Sequence, residues 1–235
     1  MDFLQPTNTF TTKNGIIVKE KMIPGKDRPN KLLNTPGNKP LYITIHNTAD
    51  INEAAGTNDA EQYARATFNG NMGDVYVHYY IDETDCWHIL PNNEIGYHAA
   101  DIGNMQGGNW TSLAIEIIEK NGTTADDKKA EDRGARLAAY LLHTYGLGIN
   151  RLKTHNDWYP RKYCPAYILP HWGTFKATVK KYLDELEKPA ATATAATATG
   201  KHYRVQIGYY SVLANAEAMQ KKLKGAGFDA IIKEE

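Results

Sequence analysis

The chain reads as an α/β protein, a mixed central β-sheet flanked by helices, with a small βαβ unit at its carboxyl end. Three observations predict this. Over residues 1–188, short β-branched runs alternate with stretches of helical periodicity. Residues 189–200 then read PAATATAATATG, with no charge, no aromatic and no large aliphatic side chain, so nothing there offsets ordering entropy by burial and the stretch reads as a linker. Beyond it, residues 201–235 repeat a strand–helix–strand pattern once.

The elements follow in order. Residues 1–40 are rich in Asn, Pro, Lys and Gly and read as mostly irregular, with Ile16-Ile17-Val18 as a short edge strand. Leu41-Tyr42-Ile43-Thr44-Ile45 is a β-branched run ending at His46, the pattern of a buried strand. Asp59 to Asn69 predicts a helix, capped by Asp59, with Tyr63, Ala66 and Thr67 on one face. Tyr76 to Ile81 and Trp87 to Leu90 predict two strands around the turn-prone Asp82-Glu83-Thr84-Asp85, and Leu113 to Ile118 a third. Asp126 to Tyr145 is the longest helical pattern, carrying Ala130, Gly134, Leu137, Ala138, Leu141 and Leu142 and stopped by Gly146 and Gly148. Leu152 to His155 predicts a short strand or loop. Thr174 to Glu187 predicts a closing helix with Phe175, Val179, Tyr182, Leu183 and Leu186 inward. In the tail, Tyr203, Val205 and Ile207 alternate as a strand, Ala216, Met219, Gln220 and Leu223 share a helix face, and Phe228 to Ile232 return as strand.

Composition excludes several classes. With 27 basic and 27 acidic residues the net charge is zero, which argues against nucleic acid as the main partner. No stretch approaches the roughly 18–20 apolar residues of a membrane span, so membrane insertion is not expected. The start, Met1-Asp2-Phe3-Leu4-Gln5-Pro6, has neither a basic region nor an apolar core, so no secretory signal is expected. Two cysteines, Cys86 and Cys164, make no disulfide framework. Cys86, with His88 two residues on, reads as a structural thiol.

Among eight histidines, His46 and His155 stand out by context, and Cys164 follows nine residues after His155. His46 ends a buried strand, where a ligand is held rigidly at a surface cleft. Two imidazoles and a thiolate suit zinc and leave one position for water. Spacing alone equally allows a buried thiol and unrelated histidines. Glu116 shares a strand face with Ala114 and Ile118, opposite Ile115 and Ile117. A carboxylate in so apolar a strand is paired, functional or on an exposed edge, because unpaired burial is costly, and burial would raise its pKa toward the range of a proton shuttle. Lys162 precedes Cys164 by two, so an extended loop turns both to one side. The aromatics read mostly as core. Asn47, beside His46, and Asn109-Trp110, in a Gly-rich loop, read as groove residues.

Ordered blocks then point to a family. YITIHNTAD, VHYYID, SLAIEI, LKTHNDW, KYCP and HWGTF, between about Tyr42 and Phe175, resemble the phage-type N-acetylmuramoyl-L-alanine amidases, relatives of the peptidoglycan recognition proteins. The resemblance implies one zinc ion held by His46, His155 and Cys164, with Glu116 as acid/base and Lys162 as the oxyanion-stabilising lysine. It also implies that His98, in GYHAAD, lines the substrate groove; His78, alternating with Tyr76 and Tyr80, reads as a second groove residue or as a ring stacked in the sheet. Some relatives carry a catalytic tyrosine just before this second histidine; Val77 stands there instead, which moves the acid/base role onto Glu116. The implied substrate is bacterial peptidoglycan, glycan strand and stem peptide, cut at the cell wall by an enzyme made in the cytoplasm and released by holin or lysis. Residues 201–235 resemble the first half of a SPOR domain, a glycan-strand binder. So small a unit needs association, and self-association through the tail is one form of it. Binding without cutting is the rival reading, but non-catalytic relatives lack the cysteine. A muropeptide-recycling amidase is a third, disfavoured by the glycan-binding-like tail.

Overall fold

Seven strands form one sheet: β1 (Asn8–Thr11), β2 (Ile17–Glu20), β3 (Tyr42–Asn47), β4 (Tyr79–Ile81), β5 (Cys86–His88), β6 (Ser112–Ile117) and β7 (Leu152–Thr154). This computed structural model describes residues 3–48, 60–188, 208, 210–225, 228 and 230–234. The strand order is β1-β2-β5-β4-β6-β3-β7. The β1–β2 and β4–β5 pairs are antiparallel, and the remaining pairs are parallel. The mixed α/β sheet expected from the sequence is therefore what the chain forms.

The Ile16–Val18 run is not an edge strand. β2 lies inside the sheet, and β1, from a segment read as irregular, covers it. Asn8-Thr9-Phe10-Thr11 holds a single large apolar residue, so its ladder to Ile17–Glu20 is a tertiary choice that no local pattern announces. β4 starts later than expected. Tyr76 instead donates its amide to the Tyr97 carbonyl, and the His78 carbonyl accepts from Ile89.

One sheet face packs under α3 (Ala125–Thr144) and α5 (Trp172–Glu187). Ile43, Ile45, Leu113, Ile115 and Ile117 meet Leu137, Ala138, Leu141, Leu142, Phe175 and Val179 there, while Leu186 is only partly buried. Gly134 lets α3 approach closely: a Cβ there would lie 2.4 Å from Ile117 Cδ1. The opposite face packs against α1 (Ala60–Phe68) through Ala60, Ala64, Tyr80, Trp87, Ala114 and Ile118. The buried residues of α1 are Ala60, Glu61, Ala64 and Thr67; Thr67 is buried as expected and Tyr63 packs partly buried on the core, while Ala66 gives way to Ala60 and Ala64. Asp82 holds the start of the helix, its Oδ2 accepting from the Ala60 amide at 2.6 Å. The expected cap, Asp59, lies outside the described residues.

The chain divides into two units, Met1–Ala190 and Ala191–Glu235. The linker and the strand over 203–207 lie outside the described residues. In the second unit α6 (Leu213–Gly225) forms as expected but buries no residue. Phe228 and residues 230–234 form no strand, because no ladder reaches them among the described residues. Among those residues, no helix is long and apolar enough to cross a membrane.

Thr124 starts α3 with a reciprocal capping box, its hydroxyl accepting from the Asp127 amide while Asp127 accepts from the Thr124 amide. Thr124→Ala should cost about 1 kcal/mol, read as a lower urea midpoint at unchanged slope.

Candidate metal centre and cleft

Parallel register builds the site. On adjacent strands β3 and β6, His46 stands opposite Glu116; on β3 and β7, Ile45 stands opposite Thr154, so His155 follows beside His46. The carboxyl ends of three parallel strands thus bring Glu116, His46 and His155 to one edge, where open α/β sheets place their crevices. Alternation turns all three away from the α3 and α5 face. His155 is then fixed as the first residue of the turn α4 (His155–Trp158), because Thr154 and Asp157 form a second capping box.

Cys164 arrives on a loop tied to that turn. Asn156 donates its backbone amide to the Cys164 carbonyl and its side-chain amide to the carbonyls of Pro160 and Lys162. Ligand atoms of His46, His155 and Cys164 lie within 4.8 Å of one another, all three residues buried. His46 Nδ1 faces Cys164 Sγ at 3.7 Å. His155 Nε2 is buried without a hydrogen-bond partner.

The electrostatics suit a cation. Burial lowers the pKa of His155 to about 4 and holds that of His46 well below the usual imidazole range, so both imidazoles are neutral, the form that binds metal. Burial and the Glu116 carboxylate push the Cys164 thiol up to about 12. A cation between the three groups would hold it as thiolate. Two neutral imidazoles, a buried thiol and an orphaned nitrogen therefore form a group positioned for a metal ion.

These residues floor a cleft of about 1080 Å³ that Glu116 and Lys162 also line. Burial raises Glu116 to about 8, and the Lys162 ammonium pulls in the opposite direction. Lys162 is exposed, and its charge also bears on His46, His155 and Cys164. Asn47, His98 and Asn109 line the cleft as well. Yet the polar groups of Asn47 turn to the chain itself, Oδ1 to the Tyr167 amide and Nδ2 to the Thr48 carbonyl. His78 does not reach the cleft. It is fully buried, with Nε2 on the Glu94 carbonyl and Nδ1 accepting from the Ala114 amide, so the expected groove role is corrected to a structural one.

The family described as N-acetylmuramoyl-L-alanine amidase matches residues 36–167, more than half of the chain. The chain belongs to this family. It is 34% identical over 162 residues to the N-acetylmuramoyl-L-alanine amidase CwlH of Bacillus subtilis (strain 168), covering 68% of this chain and 60% of that protein. Its identity to XlyA of the same strain, also an N-acetylmuramoyl-L-alanine amidase, is 37% over 140 residues, 60% of this chain and 44% of XlyA. The chain therefore spans less than two thirds of the length of these curated relatives. The structure of the catalytic domain of XlyA matches with a TM-score of 0.59 at 32% identity, covering 69% of this chain and 98% of that domain. A SPOR domain matches residues 176–234, a span that begins within α5.

Within this amidase fold, the sequence reading missed much of the cleft wall. Tyr63, Tyr80, Tyr97, Tyr159 and Tyr163 line it, beside Trp110, which the sequence did single out. Lys31 does too, from outside the matched span, its ammonium 6.0 Å from the Trp110 ring centroid. The signal for Tyr80 was present: it sits opposite Glu116 in the β4–β6 register, on the cleft face. Lys31 had no signal, since its place comes from the Leu33 and Ile95 amides bonding across to Asn93 and Lys31 carbonyls.

Glu119, just beyond β6, does not line the cleft. It is buried, with neither carboxylate oxygen hydrogen-bonded to protein. Burial first, then crowding by Glu131 and Asp127, holds its pKa well above the carboxylate range. A folded-state pKa above the unfolded value means the folded chain keeps a proton the unfolded chain has lost. Stability should therefore fall as pH rises from the unfolded pKa toward the folded one. Glu119→Gln should remove that slope, matching the wild type near about pH 4 and exceeding it at about pH 8 in urea unfolding. An unchanged slope would clear Glu119 of the effect.

Proposed function

We propose that the chain is a zinc-dependent peptidoglycan amidase that hydrolyses the amide joining N-acetylmuramic acid to L-alanine. The convergence of His46, His155 and Cys164 at the floor of a cleft shared with Glu116 and Lys162 carries this reading. His46 Nδ1, His155 Nε2 and Cys164 Sγ would hold the zinc. Bound there, zinc polarises a carbonyl and lowers the pKa of water.

Glu116 takes the proton of the attacking water and returns it to the departing alanine nitrogen. A carboxyl raised to about 8 exchanges a proton both ways near neutrality. Lys162, on a flexible exposed stem at the cleft, brings its ammonium to the oxyanion of the tetrahedral species. The aromatic walls flank the glycan and stem peptide. Asn47, His98 and Asn109 lie along the same groove. The SPOR-like tail holds the chain on glycan strands, which places the action at the cell wall and favours intact wall over soluble fragments.

Purified chain incubated with cell-wall sacculi should release new L-alanine amino termini, and a chelator should abolish the release. No release from zinc-loaded protein sinks the enzyme reading and leaves a recognition module. Release from soluble muropeptides alone turns the assignment to wall recycling. Glu116→Gln should bind zinc normally while turnover drops about 10²–10⁴-fold; full activity would take Glu116 out of the mechanism. Lys162→Met should lower kcat with little change in KM, and a change in KM alone would make Lys162 a binding residue.

A further inference from the structure

We infer that the loop around His98 and Ala99, pinned by Asn109, orients both imidazoles of the metal group, so that His98 and Asn109 act through His46 and His155 and not on the substrate. This rests on the zinc reading above.

His98 Nδ1 lies 3.1 Å from His46 Nε2, both rings are buried, and they stand almost perpendicular at 88°. A neutral imidazole has one donor and one acceptor nitrogen. With His46 Nδ1 turned to Cys164, Nε2 carries the hydrogen and His98 Nδ1 accepts it. That contact fixes the His46 tautomer with its lone pair toward the ligand group. The next residue serves the second ligand. The Ala99 carbonyl accepts from the His155 ring, and because His155 Nε2 is orphaned, Nδ1 is the donor. One short loop thus leaves a free nitrogen on each ligand, both toward Cys164.

Asn109 holds the loop. Its Oδ1 accepts from two consecutive amides, His98 at 2.8 Å and Ala99 at 2.7 Å. Its own amide donates to Asp101 Oδ1 at 3.3 Å. Between them Ala100 has φ +54°, a left-handed conformation rare for alanine and kept only where surroundings enforce it. Packing leaves little slack. A Cβ at Gly96 would come within 3.1 Å of His98 Cδ2, and one at Gly108 within 2.8 Å of Ala99 Cβ. A direct substrate role for the His98 ring nitrogens is closed off, since Nδ1 is engaged and Nε2 is sealed from solvent.

The test measures metal first. Zinc affinity would be read by competition with a chromophoric chelator, and ligand geometry by the visible spectrum of the cobalt-substituted chain. His98→Phe, which keeps ring volume but removes the acceptor, and Asn109→Ala should each weaken zinc about 10–100-fold and alter the cobalt spectrum. On sacculi, kcat should fall with KM unchanged. Asn109→Asp, retaining an oxygen acceptor, and His98→Gln should recover most of the affinity, which a merely folding-related loss would not do. Unchanged zinc affinity and cobalt spectrum with a raised KM would overturn the inference and make these groove residues. A wild type that binds zinc and cuts nothing would remove the amidase reading and leave this one standing.

Discussion

His46 and Glu116 stand opposite each other on neighbouring parallel strands, and the chemistry of the cleft depends on that register. A slip of one residue would turn each side chain to the other sheet face. Glu116 would then enter the Ile115 and Ile117 layer beneath α3, where a carboxylate has no partner, and Ile115 or Ile117 would occupy the cleft. The apolar alternation of β3 and β6 resists such a slip, because Ile43 and Ile45 with Leu113, Ile115 and Ile117 form an apolar layer with a single place to go. Core packing and site geometry are one constraint seen from two sides of the sheet.

Burial then tunes what the register assembles. The same exclusion of water that keeps the His46 and His155 imidazoles neutral raises the carboxyl of Glu116 and the thiol of Cys164. Each shift favours an uncharged group, and together they create a site that lacks positive charge at its centre. Lys162, exposed and lining the cleft, is the cationic side chain whose charge bears on all four groups. The arrangement fits a metal better than it fits a general-base site built from side chains alone.

Around this centre, the polar residues that line the cleft also bond within the protein. Asn47 bonds to its own chain, His98 meets His46, and Asn109 clamps the loop between them. The wall that remains open is aromatic, with Lys31 as its contribution from a segment outside the family match. Polar residues beside the His46, His155 and Cys164 group bond to one another and to the backbone, and aromatic residues line the rest of the cleft.

The sequence by itself determined the strands LYITIH and SLAIEI, the long α3 helix, the composition break before the tail and the set His46, His155, Cys164, Glu116 and Lys162. These are legible because they rest on local periodicity or on ordered motifs, and both survive without knowledge of neighbours. Only the tertiary structure decided that β1 covers β2, that Asp82 meets the start of α1, that His78 bonds within the sheet while His98 meets His46, and that Lys31 reaches the cleft. In each of these, the deciding hydrogen bond or contact joins residues distant in the chain, and no pattern within a strand or helix encodes which remote partner will be there.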